Sequence, residues 1–422
     1  MSTFGGFFNV FKIPELRQKI LFTLLMIGIY RIGIFIPVPG VNVKSLETLM
    51  GQGTLLNMFD LFAGGGLRSF SIFAMGVIPY INASIILQLL TIVIPALEKL
   101  VKEEGEEGRR KITQYTKYLT VPLAFIEAFG MSSWLRNLGV LEGTGFFYLL
   151  NVSIVLTAGS LLLTWIGEIV TEYGAGNGVS LIIFIGIIAR IPSSLFQSGR
   201  LISVGQMNPF VPILFLLVGV GVFVAVIYMQ EAQRKIPVQY ARRVVGRRLY
   251  GGQNTYLPLR VNQGGVLPII FASSVLLFPS TLSQFIPNLK GISGILSPGS
   301  ILYIVLYALL VIFFTYFYSS IVFNPDELAD NIKKYGGFIP GIRPGKYTSD
   351  YISDINNRIN FIGAIFLALL AIAPSFVRSS QISSFTSVFF GTGVLIVVGV
   401  AVETIRQLES QLIMRHYEGF LK

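Results

Sequence analysis

The sequence predicts an all-α polytopic membrane protein: about ten transmembrane helices in two inverted five-helix halves, with a re-entrant helix placed to plug an internal path. Three observations predict it. Hydrophobic residues make up 53% of the 422, charged residues only 13%, and mean hydropathy is +0.70, whereas a soluble chain carries about 25% charged residues. Apolar segments close to the roughly 20 residues that a bilayer requires recur along the whole chain. Residues 53–75, GTLLNMFDLFAGGGLRSFSIFAM, are too apolar for a surface loop and too interrupted for a span.

The apolar segments fall at 20–38, 76–97, 118–137, 146–167, 179–197, 210–230, 265–286, 300–323, 359–377 and 385–404. Several contain Pro or Gly, which helices inside a protein bundle tolerate. Ahead of them, residues 1–19 read as an amphipathic cytoplasmic helix with Phe4, Phe7, Phe8 and Phe11 on an interfacial face. This stretch lacks the pattern of a cleaved signal.

Lys and Arg set the orientation. With the N-terminus in the cytoplasm, only Lys44, Arg68, Arg136, Arg190, Arg200, Lys290 and Arg378 of the 32 basic residues fall outside, and Arg31 lies within the first span. An even number of spans then returns the C-terminus to the cytoplasm. The polar stretch near 198–209 divides the spans into an N-terminal half, residues 1–200, and a C-terminal half, residues 201–422. An odd number of spans per half forces the halves into opposite orientations, the arithmetic of an inverted repeat with its site between them. That symmetry follows from span count; no residue-level repeat accompanies it.

Within 53–75, Gly64, Gly65 and Gly66 are costly in a helix interior, and Asp60 and Arg68 are charges that a lipid-facing helix avoids. A short helix, a glycine hinge and a long apolar run from Gly76 describe a re-entrant segment. Non-helical backbone at membrane depth survives only where protein buries it or where it lines a water-filled cavity. The segment therefore implies a path through the protein and a short helix able to block it.

Two long basic loops lie on the cytoplasmic side, at about 231–264 and 324–358. The first holds QRKIPVQYARRVVGRRLYGGQNTYLPLR. Charge alternates there with Ile, Val and Tyr, punctuated by Pro and Gly, which predicts an ordered hairpin. Lipid headgroup contact explains why the charges lie inside. Docking to an anionic surface, RNA phosphate or an acidic protein, explains better why they sit on long structured protrusions.

Catalysis finds no support. There is no cysteine, and the single histidine, His416, lies in the C-terminal tail, so neither a Ser/His/Asp set nor a Cys-based metal site is expected. Glu127, Glu168 and Glu403 fall in or near spans without forming a cluster by spacing. EEGEEGRRK at 103–111 reads as a charged cytoplasmic turn, and GAGNG at 174–178 as a tight turn between spans. The latter lacks the Lys-Ser/Thr of a phosphate-binding loop. The alternative class is an ion-coupled secondary transporter of small solutes, but such proteins carry intramembrane ionisable groups, and the spacing offers little beyond Arg31.

Motifs along nearly the whole chain then point to a family. They are FIPVPG at 35–40, FDLFAGGGLRSFSIFAMGVIPYINASIILQLL at 59–90, EEGEEGRRKITQYTKY at 103–118, GNGVSLIIF at 176–184, YARRVVGRR at 240–248, LPLRVNQGGVLPIIFASS at 257–274 and FNPDELADNIKKYGGFIPGIRPG at 323–345. In these residues, in this order, the chain resembles the SecY family of protein-conducting channels. The resemblance implies two halves that close like a clam around an hourglass pore with an aliphatic constriction and a plug over its outer vestibule. The positions matching the constriction are Val77, Ile81, Ile85, Val179, Ile183, Ile270 and Ile396. Val77, Ile81 and Ile85 are spaced to share a helix face, as are Val179 and Ile183; by spacing alone they would be ordinary packing residues. An aliphatic ring suits the task, because it holds no charge to trap a passing chain and a narrow apolar constriction gates by dewetting.

The plug maps onto about 57–73, centred on Phe59, Asp60, Leu61, Phe62, Gly64, Gly65 and Gly66. Asn82 and Gln88 fall on the family's lateral gate, where a polar side chain serves equally well as a hydrogen bond to a neighbouring helix. Asn82 and Gly393 stand where Ser is common in the family. The basic loops match docking sites for the ribosome and for the motor ATPase SecA, through Arg242, Arg243, Arg247 and Arg248 in the first loop and Arg343 in the second. The partners implied are the subunits SecE and SecG, SecA, the ribosome through its rRNA phosphates, signal peptides and nascent polypeptides, and membrane lipid. The function implied is a channel that translocates unfolded secretory polypeptides and releases transmembrane segments sideways into lipid. It is not expected to be an enzyme or to hold a cofactor or metal. The location implied is the bacterial inner membrane, multi-pass with both termini inside, ahead of a plastid thylakoid.

Overall fold

The computed structural model describes residues 13–41, 46, 60, 63–141, 143, 145–205, 208–240, 243–245, 248–250, 254–285, 300–376 and 392–419. The helices are α1 (Pro14–Gly33), α2 (Ile78–Val93), α3 (Pro95–Glu103), α4 (Gly105–Asn137), α5 (Phe146–Tyr173), α6 (Gly178–Ile188), α7 (Arg190–Ser203), α8 (Phe210–Glu231), α9 (Leu267–Phe285), α10 (Ile301–Val322), α11 (Pro325–Lys334), α12 (Lys346–Phe376) and α13 (Thr392–Gly419). Short strands β1 (Gln233–Tyr240), β2 (Arg243–Val245), β3 (Arg248–Tyr250), β4 (Asn254–Arg260) and β5 (Gly337–Phe338) lie between them. The interfacial phenylalanines of residues 1–12 lie outside the described residues.

This is a multi-pass membrane protein. Among the described residues five helices are long and apolar enough to cross a membrane: α5, α6 with α7, α8, α10 with α11, and α12. The bent pair α2/α3 makes a sixth, and the other expected spans fall on α1, α4, α9 and α13. Polar side chains inside these helices are satisfied locally. Thr116, Thr120, Ser132, Ser153, Thr157 and Thr164 each donate to the carbonyl four residues back, so they cost the dry interior little.

Three boundaries differ from expectation. The segment 76–97 is not one straight helix. Ile94 is extended (φ −100°, ψ 110°) because the following Pro95 disfavours helical backbone there, and α3 leaves α2 at 103°. The charged run 103–111 is not a turn but a helix start. Only Glu104 interrupts the path, and α4 opens at Gly105 with Arg110–Glu106 at 3.0 Å and Lys111–Glu104 at 2.6 Å. The hydrogen bond to Glu104 raises the Lys111 ammonium above its ordinary pKa. Finally, α1 stops at Gly33 rather than at 38. FIPVPG runs non-helically beside the re-entrant segment, where Pro37 forms an antiparallel bridge with Ser71.

Helices α1, α5 and α6 pack together, as do α2, α4 and α5. In the later part of the chain α9 packs on α10, α10 on α12, and α8 on α13. The most extensive helix contacts between the two groups are α6 against α13 and α4 against α9. GAGNG forms the expected turn between α5 and α6, where Asn177 caps α6 by accepting from the Ser180 amide at 3.0 Å.

The expected hairpin is present. β1 pairs antiparallel with β4 from Gln233↔Arg260 to Gln239↔Asn254. Alternate residues Ile236 and Val238 turn inward onto Ile332, Ile339 and Ile352, the period-two burial of a half-buried strand. β5, from the second basic loop, adds to the other edge of β1, so both loops share one small core. A buried polar network bolts this module to the membrane helices. Ser319 donates to Gln263 at 2.9 Å, Gln263 donates to Asn356, and Asn356 and Asn360 both donate back to Ser319. With 31 residues, α12 is about 46 Å long at 1.5 Å per residue. It reaches from the module, where Ile352 is buried, well into a roughly 30 Å hydrocarbon core.

Candidate functional site

The re-entrant segment returns as a chain of turns from Ala63 to Val77, with no helix in that stretch. It is buried in protein, as non-helical backbone at this depth must be. Ala63, Leu67, Phe70, Ser71 and Val77 are all 0% exposed. Its backbone groups find partners. Val38 donates to the Phe70 carbonyl at 2.9 Å, Ile72 to Ile36 at 3.1 Å, and Ser71 to Gly66 at 2.9 Å. On the other side α5 receives it: Ser160 donates to the Gly76 carbonyl at 2.9 Å.

Charged groups fix the start of this stretch. Asp60 is buried, accepts the Arg68 amide at 3.0 Å, and pairs with the Arg190 guanidinium at the head of α7. Arg31, in the last turn of α1, donates to the Gly64 carbonyl at 3.2 Å. Gly64 has φ +64°, and a Cβ there would lie 2.0 Å from Tyr30 Oη and 2.9 Å from Gly186 Cα. Only glycine permits so close an approach in that conformation. Both partners of the ion pair are well shielded, with side chains 7% and 19% exposed. Removing one partner from a buried pair costs about 3–5 kcal/mol, because the other charge is left uncompensated. The sequence had placed Arg190 on the same side of the membrane as Lys44 and Arg68, which flank Asp60 in the chain. That shared side and the opposite charges of Asp60 and Arg190 were the only signals for a contact spanning 130 residues.

Beside this segment lies one contiguous apolar cluster. It takes Val77 from the loop before α2, Ile183 from α6, Ile270 from α9 and Ile396 from α13, with Ile81 of α2 and Val179 of α6, both partly buried, packed against it. Val77 is 0% exposed, Ile396 2%, Ile183 4% and Ile270 9%. The proposed stripe on α2 divides. Val77 precedes the helix as its N-cap (φ −99°, ψ 10°), Ile81 touches two clusters, and Ile85 packs with Ile269, Phe271, Val311 and Leu395 in the second.

The remaining candidates are dispersed. Asn82 donates to Glu127 of α4 at 2.8 Å, so its bond runs between two helices of the same half. Glu168 of α5 pairs with Lys117 of α4 at 2.8 Å. Gln88 is exposed and donates to Ser84 at 3.3 Å. Arg343 is exposed on a turn held by Thr348, which donates to its carbonyl at 2.9 Å. Arg243 and Arg248 stand in the paired strands β2 and β3. Phe59, Leu61, Phe62, Arg242 and Arg247 lie outside the described residues.

The comparisons with known proteins fit this geometry. Residues 71–405 match the SecY family model. The chain belongs to the SecY family. The protein translocase subunit SecY of Aquifex aeolicus (strain VF5) is 44% identical over 423 residues, 98% of each chain. Among solved structures, a SecY channel whose plug domain is described as stabilising the closed state aligns with TM-score 0.66 at 20% identity, over 96% of each chain. Sec61 in a canine ribosome–channel complex aligns with TM-score 0.63 at 18% identity, over 96% of each chain. At such identities the structural likeness is one of fold, and it extends the SecY fold over nearly the whole chain.

Proposed function

We propose that this chain is a passive protein-conducting channel held in its closed state. The observation that carries the reading is the apolar cluster that gathers Val77, Ile81, Val179, Ile183, Ile270 and Ile396 from separate elements, with a buried re-entrant segment against it. These residues form the constriction together with Ile85, which packs in the neighbouring cluster, and the segment around Asp60 and Gly64–Gly66 is the plug. The halves, residues 1–200 and 201–422, part along the α6/α13 and α4/α9 contacts. Parting them opens a path across the membrane and a lateral exit beside α2, where Asn82 and Gln88 lie. With the ring packed shut, an apolar constriction stays dry and blocks ions without a rigid door.

The module on β1, β4 and β5 is the docking surface. Arg242, Arg243, Arg247 and Arg248 serve ribosomal phosphates, as the ribosome complex of the fold relative suggests, and Arg343 serves SecA. Energy comes from these partners, SecE and SecG complete the channel, and the chain itself catalyses no reaction and uses no cofactor. Signal peptides and nascent polypeptides are its cargo, and lipid receives apolar segments. It works in the bacterial inner membrane with both termini in the cytoplasm.

Reconstitution tests this. Proteoliposomes holding the channel complex should protect a secretory precursor from protease only when a motor or ribosome supplies energy. Gradient-driven uptake of a labelled small solute by the chain without any partner, and no protected precursor with one, would instead establish a secondary transporter.

A further inference from the structure

We propose that Arg190 is a positioning residue that latches the plug, and that the latch is built entirely within the N-terminal half. The inference rests on the channel reading and names how its closed state is held. Three elements converge on two residues of the re-entrant segment. Arg190 at the head of α7 pairs with Asp60. Arg31 at the end of α1 holds the Gly64 carbonyl at 3.2 Å. Gly186 of α6 lets the Gly64 backbone settle against the helix, where a Cβ on Gly186 would fall 2.6 Å from Gly64 Cα.

The placement couples seal and constriction. Ile183, Gly186 and Arg190 recur at i, i+3 and i+7, so one face of the α6–α7 rod presents ring, backbone seat and latch in sequence. Among the described residues, the groups that meet Asp60 and Gly64 from other elements, Arg31, Tyr30, Gly186 and Arg190, all belong to residues 1–200. Parting the two halves along α6/α13 therefore widens the ring and leaves the latch closed. Opening needs a second event, a chain entering from the ring side that pulls Asp60 away from Arg190. A sealed channel with slightly parted halves is the state between.

The test uses the channel complex carrying the full chain, in planar bilayers, with resting ion conductance as readout. Asp60→Asn and Arg190→Gln should each raise it about tenfold or more, since stranding one member of a buried pair disfavours the closed arrangement. The double variant should leak no more than the worse single one, and Arg190→Lys should seal better than Arg190→Gln. The chain has no native cysteine, so Asp60→Cys with Arg190→Cys reports cleanly. Oxidation should restore the seal and stop translocation, and reductant should reverse both. Where a single variant fails to accumulate in membranes, the oxidised and reduced cysteine pair decides. Deleting 57–68 separates the two claims. If the deletion leaks while the latch variants seal like the parent, the latch is wrong and the plug stands. If the deletion conducts no more than the parent, plug and latch both fall.

Discussion

Gly64 and Gly65 are neighbours with different work. Both have positive φ, +64° and +93°, so alanine at either carries backbone strain of about 1–2 kcal/mol. A Cβ at Gly65 meets nothing within 4 Å, whereas one at Gly64 collides with Tyr30 Oη and Gly186 Cα. Gly64→Ala should therefore unseat the segment and raise resting conductance well above that of Gly65→Ala, with a larger fall in thermal stability in detergent. Equal conductance in the two variants would mean that backbone strain alone matters and that the Gly186 seat does not. At this scale the sequence was half legible. Three adjacent glycines in an apolar run signalled a hinge, but which of them needs bare backbone depends on Tyr30 and Gly186, brought there by the fold.

At the scale of elements, alternation in QRKIPVQY was enough to predict the hairpin, because a strand with one buried face writes its period into the chain. β5 was not legible. It is two residues, Gly337–Phe338, and its partner strand lies about a hundred positions away. The same limit hid the bend at Ile94, since apolar content runs unbroken through Pro95 while the backbone does not. Joining β5 to β1 places Arg343 beside the hairpin whose strands flank β2 and β3 in the chain, and this sets a prediction. Arg343→Glu should abolish SecA-driven translocation while the chain remains folded in the membrane, because a guanidinium's planar fork makes two-point contacts that a reversed charge repels. The Arg247→Ala/Arg248→Ala pair should flatten the salt dependence of ribosome binding, since each lost phosphate contact lowers the log–log slope by about one. An unchanged slope would assign those arginines to lipid headgroups.

For the whole molecule, span count forecast the helical architecture, because a bilayer forces every spanning element to advertise itself in composition. The proposed constriction was not legible in that way. Its residues come from the loop before α2 and from α2, α6, α9 and α13, and each is an ordinary packing isoleucine or valine within its own helix. Only family resemblance singled them out, and the fold then brought four of the seven into one buried cluster, packed Ile81 and Val179 against it, and left Ile85 in a second cluster. The channel reading makes this cluster the path of a translocating chain. It is tested most directly by stalling a secretory precursor in the channel and probing single cysteines, introduced into a chain that has none. Ile81→Cys, Ile183→Cys, Ile270→Cys and Ile396→Cys should crosslink to the precursor. Leu217→Cys and Val224→Cys on the outward face of α8, where these side chains are 63% and 59% exposed, should not. Crosslinking of equal strength at both sets, or at α8 alone, would show that the cluster is helix packing and that the polypeptide crosses elsewhere.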